Sequence, residues 1–115
     1  TNTFIGYESG LGFGNGTNNT LIGFNTSVGN GIINSTAIGA GAYVNQSNSI
    51  VLGGSGGEYV GIGTSAPNAA LEVANGDIYL PNSNNGIILT SPNGQCWRVT
   101  INNTGTLIRT SITCP

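Results

Sequence analysis

The chain has 115 residues, enough for one domain or two small ones, and only 5% of them are charged. Two arginines, no lysine, no histidine and four acidic residues leave a net charge of −2, which excludes the basic patch that nucleic-acid binding needs and the polybasic mode of attachment to membrane surfaces. No apolar run approaches the ~20 residues of a transmembrane helix and no secretory-signal pattern is present, so direct membrane insertion is not expected.

The first 53 residues repeat one phrase four times: Ser or Thr, one or two further residues, an Ile or Leu, then Gly. The copies are Thr3-Phe4-Ile5-Gly6, Thr20-Leu21-Ile22-Gly23, Ser35-Thr36-Ala37-Ile38-Gly39 and Ser49-Ile50-Val51-Leu52-Gly53. The glycines are spaced 17, 16 and 14 residues apart. A unit this short cannot bury its own apolar side, so it is read as one coil of a stack. Five residues after three of the glycines comes a second aliphatic: Leu11, Val28 and Val44. Each coil therefore offers two expected inward sites, the residue before Gly (Ile5, Ile22, Ile38, Leu52) and the later one. Two short strands per coil, joined by Gly/Asn turns such as Gly14-Asn15-Gly16 and Gly29-Asn30-Gly31, satisfy the pattern. Gly6, Gly23, Gly39 and Gly53 supply positive φ or close approach of a neighbouring strand. After Gly53 the fifth position is Glu58, within a Gly-rich stretch, and the stack is expected to end there.

Residues 1–57 are thus read as the repeat stack and residues 58–80 as a transition, where Leu71-Glu72-Val73 fits either a strand or part of one helical turn. Residues 81–115 form a β-rich terminal module. In it, Gly86–Thr90 runs into the Ser91-Pro92-Asn93-Gly94 turn. Gln95–Ile101 and Thr106–Thr113 then flank the Asn102–Gly105 turn as a hairpin. Cys96 and Cys114 lie near the open end of that hairpin, where an intrachain disulfide is geometrically feasible and implies an oxidising compartment. Two buried thiols or disulfides between chains are the competing readings.

Asn, Thr, Ser and Gly make up 60 of the 115 residues. Disordered segments are usually charged, Pro-rich and poor in β-branched residues. Here Ile, Val and Leu recur at fixed spacing, the profile of a secreted fibre ordered by backbone pairing. The chain lacks Met and starts within a repeat, so a fragment or processed product is expected.

The stretch Ser35-Thr36-Ala37-Ile38-Gly39-Ala40-Gly41-Ala42-Tyr43-Val44 and its shorter copies resemble the head repeats of trimeric autotransporter adhesins. Val60-Gly61-Ile62-Gly63-Thr64-Ser65-Ala66-Pro67, with Leu71-Glu72-Val73, resembles a segment of bacterial surface fibres and phage tail fibres. The resemblance implies a left-handed parallel β-roll with three chains about one axis. These residues hold no heptad stalk and no membrane-barrel segment, which points to a tail fibre or surface filament. The expected fold is all-β: stacked parallel β-roll or solenoid coils, then a hairpin-rich tip, in an intertwined parallel homotrimer. The expected role is structural and adhesive: a segment of an extracellular fibre whose partners are its own copies and a glycan or protein receptor.

Sites of chemistry are not expected. The Gly-rich loops lack the helix start and Lys of a phosphate cradle. Without His, a Ser or Cys nucleophile has no base. Two cysteines make a poor zinc site, and the acidic oxygens are too scattered for Ca²⁺. Glu58, Glu72 and Asp77 fit a glycosidase pair only if brought to about 5–9.5 Å. No catalytic residue, metal or cofactor is therefore assigned. Aromatic side chains carry the binding signal, because exposed rings stack on sugars. Trp97 beside Arg98, and Tyr43, are the candidate surface-binding residues. Tyr7 and Phe24, each one residue after a repeat Gly, fit packing between coils or chains. Two rivals to the adhesive reading remain: an ice-binding β-solenoid presenting Thr and Asn, and a polysaccharide-degrading tailspike.

Overall fold

The computed structural model describes residues 1–115 and contains strands, turns and no helix. Residues Thr1–Gly76 and Asp77–Pro115 form two compact units.

The first unit is a β-solenoid of about three turns. One wall is a four-stranded parallel sheet in the order β1 (Thr3–Ile5), β2 (Thr20–Ile22), β4 (Thr36–Ile38), β6 (Ile50–Leu52). The facing strands β3 (Ser27–Val28) and β5 (Tyr43–Val44) pair in parallel. The register places each repeat residue over its counterpart: Thr3, Thr20, Thr36 and Ile50 form one column, and Ile5, Ile22, Ile38 and Leu52 another.

The glycine ending each phrase is required by contact as well as by dihedral angle. Gly23 has φ +136°, and a Cβ there would lie 2.8 Å from the carbonyl carbon and oxygen of Gly39. Backbone stacks directly on backbone down this column, leaving no room for a side chain. The opposite corner uses Asn18, Asn34 and Asn48, all near φ +58°. Asn tolerates the left-handed region. Its amide also bonds along the stack, Asn18 Nδ2 donating to Asn34 Oδ1 (3.2 Å) and Asn34 Nδ2 to Asn48 Oδ1 (3.1 Å).

The core corrects the expected phase of the first strand. Leu21 and Ala37 are fully buried and Val51 packs against them, so the residue before the Ile or Leu points inward. Ile5 (55% exposed), Ile38 (39%) and Leu52 (50%) point outward, and Ile22 is half-buried. Strand side chains alternate faces, and both columns are apolar, so the pattern alone allowed either phase. Val28 and Val44 are buried as expected. Leu11 is not: it is 69% exposed. Glu8, Gly10 and Gly12 all adopt positive φ, and the resulting turn carries Leu11 outward. Phe13 takes the space instead, packing on the core and meeting Phe4 edge-on at 5.2 Å between ring centroids.

Polar residues complete the interior. Asn19 is buried; its Nδ2 donates to the Ile32 carbonyl (2.8 Å) and its Oδ1 accepts from the Ser35 amide (3.0 Å). Ser35, one coil on, donates to the Gln46 carbonyl (2.8 Å). Every buried side-chain nitrogen and oxygen has a partner, as a thin core needs. The stack ends at β6, where Glu58 crosses Gly53 and accepts from the Gly56 amide (3.1 Å). The same unit then adds a separate parallel pair, β7 (Val60–Ile62) with β8 (Leu71–Val73), settling the latter as a strand.

The second unit is an antiparallel three-stranded meander, β9 (Ile87–Thr90), β10 (Cys96–Ile101) and β11 (Leu107–Ile112), with β10 central. Both turns fall where Pro, Asn and Gly foretell them. Cys96 bonds to Cys114, with 5.2 Å between their Cα atoms.

Candidate binding surfaces

Two surfaces present side chains that the fold does not use internally. The first is the outer wall of the solenoid. Alternation along β1, β2, β4 and β6 sends the Thr and Ile columns outward together, giving a ribbon of hydroxyls beside a ribbon of aliphatics. The inward column varies in size (Leu21, Ala37, Val51, with Phe4 in register at the uncovered first strand), whereas the outward one is three Ile and a Leu (Ile5, Ile22, Ile38, Leu52). Leu52 and Ile38 also border a cleft of about 340 Å³ with Gly39, Gly53, Glu58, Tyr59 and Val60.

Tyr43 lies on the other wall. Val44 points into the core, so alternation exposes Tyr43, which lines a small cleft with Val51, Gly53 and Ser55. Tyr7 and Phe24 stack on each other across successive coils, with centroids 6.0 Å apart and planes 4° from parallel. They pack between coils while remaining open to solvent.

The second surface belongs to the terminal module and revises the Trp97–Arg98 pairing. Consecutive strand residues face opposite sides of a sheet, so Arg98 is directed away from Trp97. The register puts Trp97 opposite Leu89 and Val99 opposite Arg109. Leu89, Trp97, Val99 and Arg109 therefore share one face, and with Thr90 and Ser91 they line a cleft of about 460 Å³. Arg109, and not Arg98, is the cation beside Trp97. It lies 12 positions from Trp97, and only the hairpin register brings the two together.

Trp97 is 37% exposed and held by one edge, its Nε1 donating to Ser91 Oγ (3.2 Å). The turn carrying Ser91 is itself closed: the Ser91 amide donates to the Gln95 carbonyl (2.9 Å) and the Gly94 amide to the Ser91 carbonyl (2.8 Å). Below the sheet's other face, Cys96 is 3% exposed and disulfide-bonded, anchoring β10 near the chain's end.

The carboxylates serve turns. Glu72 accepts from the Asn68 amide (2.7 Å) and from its side chain (3.3 Å), and Glu58 spans its own Gly-rich loop. No group of three or more His, Cys, Asp or Glu side chains is placed to hold a metal ion.

No family model, curated protein or solved structure matches the chain. No helix is long and apolar enough to cross a membrane.

Proposed function

We propose that the chain is a structural and adhesive segment of an extracellular homotrimeric fibre, a tail fibre or surface adhesin, that mediates attachment. The observation that carries this reading is the uniform outward column Ile5, Ile22, Ile38 and Leu52. The interior core of the first unit consists of Leu21, Val28, Ala37, Ala42 and Val44, with only Phe13, Ile32 and Val51 packed against it. A core this small leaves a domain marginal. Ile5, Ile38 and Leu52 are 55%, 39% and 50% exposed, so covering them against copies of the same wall adds about half of a full aliphatic burial, roughly 1 kcal/mol for each side chain. Identical columns on identical chains interlock without a change of register. The resemblance to trimeric adhesin heads supports three copies, and the disulfide fits an oxidising, extracellular setting. The aromatic surfaces supply the recognition half of the reading, and no catalysis is assigned.

Ice binding is the second reading, favoured by the column Thr3, Thr20, Thr36, whose hydroxyls repeat at strand spacing. Ile50 breaks that column at the fourth strand, and a thermal-hysteresis assay decides it.

The test is the native mass by multi-angle light scattering, for the parent chain and for Ile22→Asp with Ile38→Asp. The reading expects about three chain masses for the parent and a lower mass for the variant, whose substituted positions lie outside the coil core. A folded monomer in the parent would sink the fibre reading.

A further inference from the structure

Building on the adhesive reading, we propose that the Trp97 face of the terminal module binds an acidic sugar. The pyranose ring lies over the Trp97 indole, and its carboxylate is held by the Arg109 guanidinium.

Asp77 is the single acidic side chain of residues 77–115, and it does not line the cleft. Arg109 therefore stands on an apolar face among Leu89, Trp97 and Val99 with no carboxylate in that lining. A second copy of the same face would bring another guanidinium and no anion. Like charges brought together across an interface are penalised. The complementary occupant is anionic.

Geometry narrows its class. A guanidinium is a planar fork that matches a carboxylate bidentately. Beside it, the indole offers an apolar plane whose rim is open to solvent; the Ser91 hydroxyl there is engaged by Trp97 Nε1 and by the Gln95 carbonyl, and the Thr90 hydroxyl lies against Cys96 on the other face. A ligand that meets both carries a carboxylate and an apolar ring face on one rigid ring, and a uronic or similar acidic sugar has the two together, with its hydroxyls left to solvent at the open rim. The cleft, at about 460 Å³, lies within the range of small-molecule sites. It is also preformed. The Nε1 bond to Ser91 holds the indole edge, the 91–95 turn holds Ser91, and the Cys96–Cys114 bond holds the strand that bears Trp97. Preorganisation of this kind lowers the cost of binding.

Trp97 is the only tryptophan, so its emission reports the site directly. The full chain is titrated with α-1,4-linked tetragalacturonic acid, with the neutral galactose tetramer of the same linkage, and with inorganic phosphate. The proposal expects a saturable change with the acidic sugar and binding roughly tenfold or more weaker for the neutral one, the scale of losing a charge-assisted pair. Arg109→Gln should erase that preference. Arg98→Gln, on the opposite face, should keep it. Equal loss in both variants, an equal response to the neutral sugar or to phosphate alone, or no saturable response in folded protein overturns the proposal. Trp97 shielded from acrylamide in the assembled protein also overturns it, since a second copy would then cover the face. The two readings fail separately. A trimer that binds no acidic sugar ends the site and leaves the fibre, whereas a monomer that binds it ends the fibre and leaves the site.

Discussion

Replacing Gly23 with Ala tests the central feature of the solenoid, the direct stacking of backbone on backbone at the end of each phrase. The added methyl would sit 2.8 Å from the Gly39 carbonyl and 3.2 Å from Thr26 Cγ2, on a residue at φ +136°. Holding a side chain in a region populated almost only by glycine costs about 1–3 kcal/mol. Overpacking against a neighbour that cannot move away costs about 1–3 kcal/mol more. The expected loss is thus about 2–6 kcal/mol. Gly12→Ala is the matched control: φ is +76°, but nothing lies within 4 Å of the new Cβ. It carries only the left-handed penalty of about 1–2 kcal/mol, partly offset by a stiffer unfolded chain. Urea unfolding followed by far-UV circular dichroism separates the two. With a slope of about 1–3 kcal/mol per molar, Gly23→Ala should lower the midpoint by about 1 M or more beyond Gly12→Ala. Trp97 emission, which belongs to the other unit, serves as an internal reference and should keep its own transition. Equal midpoints for the two alanine variants would refute the stacking argument.

Further outcomes follow from the same packing. Leu21→Ala should destabilise the solenoid by about 2.7–5 kcal/mol, because it opens a cavity in a core too small to collapse around it; thermal unfolding reads this directly. Asn19→Leu strands the buried Ser35 amide and the Ile32 carbonyl, at about 1–3 kcal/mol each, and hydrogen exchange at Ser35 should accelerate accordingly. Replacing both cysteines with serine opens a bridge that spans 18 positions and should cost the terminal module about 3 kcal/mol, lowering the Trp97 transition and leaving the solenoid transition in place. Mass spectrometry after alkylation should find no modified thiol until the protein is reduced.

The terminal module was the most legible part of the chain. Its strands are runs rich in β-branched and apolar residues, its turns carry Pro-Asn-Gly and Asn-Thr-Gly, and the hairpin they define brings Cys96 and Cys114 within bonding reach. The solenoid was legible in its period but not in its phase. Gly23 announces where a coil ends because no other residue fits there, whereas Leu21 and Ile22 are adjacent and both apolar. The candidate site was half legible: the single Trp is visible in composition, but its exposure and its charged neighbour are set by the fold and the cross-strand register.

Elements whose cause is local can be read from the order of residues. These are the glycines that permit stacking, the Asn and Gly turns, the strand segments and the repeat length that makes a coil depend on its neighbours. Long-range packing sets which of two apolar columns is buried, that Phe13 and not Leu11 packs against the core, and that Arg109 and not Arg98 stands beside Trp97. The physical reason is the same in each case. A strand shows its two faces on alternate residues, so a single step of phase or register exchanges inside for outside. That step is set by which distant segment pairs with it.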